Sequence, residues 1–168
     1  KCSDIITEVL SNRDCRVKYI EHTINRGYAQ TFFEALRISE GDYIFFADQD
    51  DIWIKEKVMI CVDIMMKYPE ITCLSSLNVL IDGAGNVIRK ENNVNRRLFK
   101  PSCEELISRK YLRPGMSIVI TRELKKKIDL LDISQYEMHD RLIEYISAIN
   151  GGFYILGEYL TNYRIHDS

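Results

Sequence analysis

No apolar run in this chain of 168 residues approaches the roughly 20 residues a helix needs to cross a bilayer, and no basic-then-apolar leader opens it. A membrane-integral chain is therefore not expected. No Gly-x4-Gly-Lys-Ser/Thr loop occurs, which removes a P-loop nucleotide site. Neither the glycine nor the closing glutamate of an EF-hand accompanies the aspartates near position 50. The five cysteines, Cys2, Cys15, Cys61, Cys73 and Cys103, are odd in number and include no Cys-x-x-Cys pair. Several fall in apolar segments where a reduced thiol packs as a small hydrophobe, so a reducing cytoplasm is the expected setting. Neither sign of charge dominates: the formal net charge is -2, which gives no global attraction to nucleic acid, and nucleic acid is not expected as a partner. There is no internal repeat and no low-complexity segment. With 46% hydrophobic and 29% charged residues, the composition is that of one globular domain with a substantial core.

The pattern over the first 80 residues alternates helix and strand. Residues 3 to 11 fit a short helix capped by Ser3 or Asp4, and Val17 to Ile20 a strand. After Asn25-Arg26-Gly27, Ala29, Phe33 and Leu36 keep helical spacing until Gly41, and strand 43 to 47 follows. Residues 55 to 67 repeat the helical period, with Val58, Cys61, Val62, Met65 and Met66 as the expected buried face and Pro69 as the stop. Such an order predicts an α/β fold with a mostly parallel sheet, because parallel neighbours need helical crossovers. The second half reads as a long strand 72 to 81, a hairpin turn at 82 to 86 into Val87-Ile88, and an irregular connection over 89 to 102. Helices near 103 to 110, 122 to 131 and 136 to 149, an extended 117 to 121, and a final strand 153 to 165 complete the pattern.

The most telling stretch is Gly41-Asp42-Tyr43-Ile44-Phe45-Phe46-Ala47-Asp48-Gln49-Asp50-Asp51-Ile52-Trp53, an apolar strand ending in closely spaced aspartates. Carboxylates at the C-terminal end of a strand sit where open α/β sheets bind ligands, and Asp48 with Asp50 could both offer oxygens to one divalent cation. The same run also fits an Asx turn with Asp51 capping the next helix. Asp140, after His139 at a helix start, suits a general base held by the helix N-terminus or, equally, a simple first-turn charge. His166 and Arg164 near the C-terminus could meet a metal and a phosphate, and Trp53 could stack on a ring or belong to the core. The basic residues Arg89, Lys90, Arg96, Arg97 and Lys100 fit an anionic acceptor, a membrane surface or a solvated loop.

Taken in order, Asn25-Arg26-Gly27, the strand from Gly41, the Asp48-Gln49-Asp50-Asp51-Ile52-Trp53 block and Lys57 closely resemble the inverting family 2 glycosyltransferases, in their bacterial rhamnosyltransferase-like branch. The likeness covers nearly all of the chain, with Asp48-to-Trp53 its most specific block. It implies a GT-A fold, a Rossmann-like three-layer sandwich of one domain. Residues 1-80 would bind nucleotide and metal, and 81-168 the acceptor. It also implies that Asp50, Asp48 and His166 hold Mg2+ or Mn2+ against the diphosphate, with Asn25, Gly27 and Arg164 also on the donor nucleotide. Arg113-Pro114-Gly115-Met116-Ser117 resembles the loop beneath the donor sugar, so Gly115, Met116, Trp53 and His139 are expected around the sugars and Asp140 at the catalytic-base position.

The implied reaction moves a sugar from dTDP-rhamnose or a UDP-hexose to a saccharide or lipid-linked glycan in cell-surface polysaccharide assembly, in the cytoplasm or peripherally at the inner membrane face. The family's opening strand, Thr-Tyr-Asn-like turn and Asp-Asp-Gly-Ser element have no counterpart from Lys1 onward. The resemblance therefore implies an N-terminally truncated nucleotide-binding half with an apolar edge open to a second copy, as in a homodimer. A non-catalytic sugar-nucleotide or partner-binding fragment and a nucleotidyltransferase are the rival readings.

Overall fold

The computed structural model describes residues 16–92, 97–108, 110, 111 and 113–166; the expected helix over 3 to 11 lies outside them. Helix α1 spans Tyr28–Ile38 and buries Ala29, Phe33 and Leu36, the stripe the 3.6 period selects. Gly27 starts it at φ 76, a conformation that favours glycine, and Asn25 Oδ1 accepts from the Gly27 N–H at 2.8 Å. Strand β1 is Tyr43–Phe45 and β2 is Ile52–Trp53. Helix α2 (Lys57–Lys67), the buried strand β3 (Cys73–Ile81) and its hairpin partner β4 (Val87–Lys90) follow. Next come β5 (Leu98–Phe99) and α3 (Cys103–Ile107), the latter started by a reciprocal Ser102–Glu105 capping box. A 3-10 turn over Gly115–Ser117 leads into β6 (Ile118–Thr121), α4 (Arg122–Asp129), α5 (His139–Ile149) and β7 (Phe153–Arg164).

The main sheet runs β1-β6-β3-β7-β2, with β4 on β3 and β5 on β7. It is mixed, which corrects the expectation of a mostly parallel sheet. Only β3 and β7 pair in parallel among the described strands; β6 enters antiparallel between β1 and β3. The crossover argument does give β1, β3 and β7 a common direction. It says nothing of a later strand inserted between two of them.

Side chains alternate across this sheet into two apolar layers. Cys73, Ile118, Ile120, Phe153 and Ile155 face α1, α4 and α5, where Phe33, Leu36, Leu124, Ile128 and Ile143 meet them. Leu74, Val119, Leu156 and Leu160 face α2 through Cys61 and Met65. The result is a helix-sheet-helix sandwich.

Three local expectations are corrected. Val17 to Ile20 form no strand, and Val17, Tyr19 and Ile20 are exposed. Val58 and Met66 of α2 are exposed as well, while Lys57 is buried on that helix, because a buried acceptor pair awaits its ammonium. Asp51 caps no helix, since α2 begins six residues later and Ile52–Trp53 first form a strand on β7.

Candidate active site

The segment after β1 carries Asp48, Asp50 and Asp51 to the edge where β2 and the end of β7 meet. Arg164 fixes its shape. The Arg164 N–H donates to Asp51 Oδ1 at 2.9 Å and its Nε to the Asp50 carbonyl at 3.0 Å. One terminal nitrogen of the same guanidinium donates to the carbonyls of Asp82 and Gly83 at 2.8 Å each. Thus Arg164, expected on a phosphate, is engaged with backbone carbonyls and binds the aspartate loop to the β3–β4 turn. His166 Nε2 contacts Asp50 Oδ2, and this partner holds the Asp50 carboxyl below the usual carboxylate range.

Asp48 is half-buried, and its carboxyl is pushed up by burial and then by the charges of Asp51, Asp50 and Asp140. Asp140, in the first turn of α5, thus lies within electrostatic reach of Asp48 although 92 positions separate them in sequence. Its Oδ1 accepts from the Arg141 N–H at 2.7 Å. Burial raises the Asp51 carboxyl too, and Asp51 Oδ2 is buried with no hydrogen-bond partner among the described residues. The neighbouring charges of Asp51 and Asp50 thus add to burial in opposing ionisation of Asp48.

Gly115, on the 3-10 turn with Met116, lies against the ring of His139, which precedes Asp140. His139 is 4% exposed and stacks on Phe32 at 4.2 Å, with Phe46, Phe33 and Tyr28 around it. Burial pushes its imidazole down, and neither ring nitrogen has a hydrogen-bond partner among the described residues. A Cβ on Gly115 would stand 2.6 Å from His139 Nε2, so only glycine lets the loop cross the ring here. Trp53 lies half-buried against Phe45 and beneath the Lys57 ammonium, which is 4.3 Å from its ring centre. Gly27 lines a different hollow at the head of α1, beside Ser134 to Glu137, and Asn25 is tied to it through the Gly27 N–H. Among the described residues no hydrogen bond joins them to the aspartates.

The burial of two ionisable groups, Lys57 and Glu144, is not visible in the sequence. Lys57 donates to the Met116 carbonyl at 2.6 Å and to Thr161 Oγ1 at 2.7 Å, and burial pushes its ammonium down to about 8. Glu144 is 0% exposed; it accepts from the Arg113 N–H at 3.2 Å through Oε1, has no partner for Oε2 among the described residues, and is held well above the carboxylate range by burial. A charged residue beside Ile143 on an apolar helix is the only signal the sequence offers for Glu144.

The donor set of Asp48, Asp50 and His166 has the oxygen and imidazole chemistry of a divalent-cation site, and the crowding at Asp48 is what a cation would relieve. Among the described residues, no three such side chains stand ready-made around one point.

A sheet flanked on both faces by helices, with aspartates on the loop leaving β1, is the arrangement of the GT-A fold. The family model for glycosyl transferase family 2 matches residues 1–122, and the chain belongs to that family. An uncharacterized glycosyltransferase of Nostoc sp. is 23% identical over 167 residues, 97% of this chain and 51% of its own length. The glucosyltransferase WfgD of Escherichia coli, named as UDP-Glc:alpha-D-GlcNAc-diphosphoundecaprenol beta-1,3-glucosyltransferase, is 35% identical over 60 residues, 36% of this chain and 24% of that protein. The chain therefore spans about half or less of the length of these curated relatives. Its fold matches crystal structures of S. aureus TarS 1-349. The complex with UDP-GlcNAc has a TM-score of 0.73 at 18% identity, covering 100% of this chain and 47% of that one. The complex with UDP has a TM-score of 0.75 at 16% identity, covering 98% and 48%.

Proposed function

We propose that this chain forms the catalytic core of an inverting, metal-dependent glycosyltransferase that moves a sugar from a UDP-sugar to a saccharide or lipid-linked acceptor in cell-surface polysaccharide assembly. The observation that carries this reading is the convergence of Asp140 on the Asp48–Asp51 cluster from a separate element. One carboxylate suited to take a proton then stands beside a group suited to a diphosphate and its cation.

In this reading Asp140 takes the proton of an acceptor hydroxyl. The oxygen attacks the anomeric carbon from the face opposite the nucleotide, the bond from that carbon to the diphosphate oxygen breaks, and UDP leaves with the electron pair. Configuration at the anomeric carbon inverts. A divalent cation, for which Asp50, Asp48 and His166 are the candidate ligands, supplies charge neutralisation for the departing diphosphate. Arg164 holds Asp50 and Asp51 in place through their backbone and carboxylate. The Gly115–Met116 turn, backed by His139 and tied to Lys57, forms the floor for the donor sugar. A UDP-sugar is favoured over dTDP-rhamnose by the UDP ligands of the matched TarS structures and the UDP-Glc of the WfgD name. No helix among the described residues is long and apolar enough to cross a membrane; work on a lipid-linked acceptor would place the chain peripherally at the inner face.

The test is a thermal-shift titration with UDP, dTDP and GDP, each with and without Mn2+. Ligand at about 100 times its Kd stabilises the native state by about 2.7 kcal/mol. UDP is expected to raise Tm only with metal. A dTDP-specific shift would restore the rhamnosyl reading, and no shift with any nucleotide would overturn donor binding by this chain. Release of UDP, not pyrophosphate, during turnover is the accompanying expectation.

A further inference from the structure

A second hollow of about 630 Å3 opens beside the aspartates, and its charge is opposite. Its walls carry Arg89 and Lys90 from β4 and Lys110 and Arg113 from the stretch before the 3-10 turn, with the rings of Tyr111 and Tyr163. Tyr163 is where the two regions touch, since the charges of Asp51, Asp48 and Asp50 reach its hydroxyl. Arg113 begins the loop that leads to Met116.

The basic groups here are incompletely neutralised. Among the described residues Glu91 is the one carboxylate on the wall, and it is committed: it accepts from the Asn78 N–H at 2.9 Å and Nδ2 at 3.2 Å, and pairs with Arg113 at 3.3 Å. That ion pair is 11% and 17% exposed, so it is a fixed part of the wall, and Arg113 Nε is buried without a partner among the described residues. Lys110 makes a 3.6 Å pair with Glu105 outside the hollow, and Lys90 lies 5.4 Å from the Tyr159 ring centre. Among the described residues the Arg89 side chain, on the strand paired to β3, makes neither an ion pair nor a hydrogen bond. A neutral sugar is gripped by aromatic faces and neutral amides and gains little from such a surplus. An anion gains directly from it.

We infer that this cleft binds a phosphate or diphosphate group carried by the acceptor, holding the charged part of that molecule away from the aspartates while its sugar hydroxyl reaches Asp140. The carboxylates on one side of Tyr163 repel the phosphate and the cations on the other attract it, so the charge distribution orients an acceptor that has one anionic end. This inference rests on the glycosyltransferase reading above.

Inorganic pyrophosphate and inorganic phosphate, titrated calorimetrically into the full chain in EDTA at low salt, test it. Arg89→Gln/Lys90→Gln changes two exposed strand positions, so the fold is preserved. Pyrophosphate is expected to bind the natural chain, to weaken with added salt, and to bind the double variant at least about tenfold more weakly, since each lost charged hydrogen bond is worth a factor of that order. Asp50→Asn is expected not to weaken it. Tighter binding of pyrophosphate than of phosphate identifies a diphosphate acceptor, and equal binding a single phosphate; both support the cleft. No binding, or equal affinity in the double variant, overturns it. So does binding to phosphatidylglycerol vesicles that depends on Arg89 and Lys90 without pyrophosphate binding, which assigns the patch to a membrane surface. A parallel titration of UDP with Mn2+ reads the donor site separately, so failure of the donor reading is seen apart from failure of the cleft.

Discussion

Lys57 and Met116 are joined across 59 positions of sequence, ammonium to carbonyl, at 2.6 Å. The bond ties the helix following the aspartate loop to the turn proposed to floor the donor sugar, and Thr161 Oγ1 adds an anchor on β7. Lys57→Met is therefore expected to raise the donor KM more than it lowers kcat, because the turn loses its position and no group of the proposed chemistry is removed. Steady-state kinetics against UDP-sugar decide this.

The same lysine predicts a stability difference that varies with pH. Burial lowers its folded value from 10.5 to about 8, so between these limits the unfolded chain binds more protons than the folded one. Stability rises with pH wherever that holds. The natural chain is thus expected to gain on Lys57→Met as pH increases from about 8 to about 10.5, by up to about 3 kcal/mol at 1.36 kcal/mol per unit. Urea unfolding of both proteins across the window measures the gain.

Glu144 gives the opposite slope. Its folded carboxyl sits well above 4.5, so above that value the unfolded chain has released a proton that the folded chain keeps, and stability falls as pH rises. Glu144→Gln preserves an acceptor for the Arg113 N–H and removes the titration. Its Tm relative to the natural chain is expected to increase from about pH 5 to about pH 7.

Much of this arrangement is legible in the sequence, for a physical reason. The strands at 43 to 45 and 73 to 81, the turn at 82 to 86 and the helices over 28 to 38 and 139 to 149 are set by local periodicity and turn chemistry, and they occur where those signals place them. The Asp48–Asp51 cluster and His139–Asp140 are visible as motifs, but their proximity depends on tertiary structure. What local patterns cannot encode is the partner supplied from far away: β6 sliding between β1 and β3, Thr161 waiting for Lys57, Arg164 reaching Asp50. Val17 to Ile20 fail as a strand in the other direction. Their residue types suit one, yet no described strand pairs with them.

Asp140→Asn is expected to lower turnover about 100 to 10,000-fold while leaving the affinity for UDP with Mn2+ unchanged, since a general base contributes on that scale and makes no demand on nucleotide binding. Single-turnover rates together with the thermal shift test both halves. Equal turnover in the variant removes Asp140 from the role.

His166→Ala is expected to raise the Mn2+ concentration needed for half-maximal activity by about tenfold or more, the scale on which groups around a metal tune its affinity. EDTA is expected to abolish activity in both proteins and Mn2+ to restore it. A variant with an unchanged metal requirement removes His166 from the candidate ligand set.

Gly115→Ala is expected to destabilise the fold by about 1 to 3 kcal/mol, the usual cost of overpacking. The added methyl meets an imidazole 2.6 Å away that Phe32 and Phe46 prevent from retreating. Adding His139→Ala should recover part of the loss by vacating that space, which thermal melts of the single and double variants will show.

The contact between Arg164 and Asp50 spans 114 positions, and its neighbour to Asp51 spans 113. During synthesis the aspartate loop leaves the ribosome long before the arginine that shapes it. A nascent chain halted anywhere short of β7 would carry the aspartate motif without the arginine that fixes its backbone, so the geometry of the loop is gained only when that strand has joined the sheet.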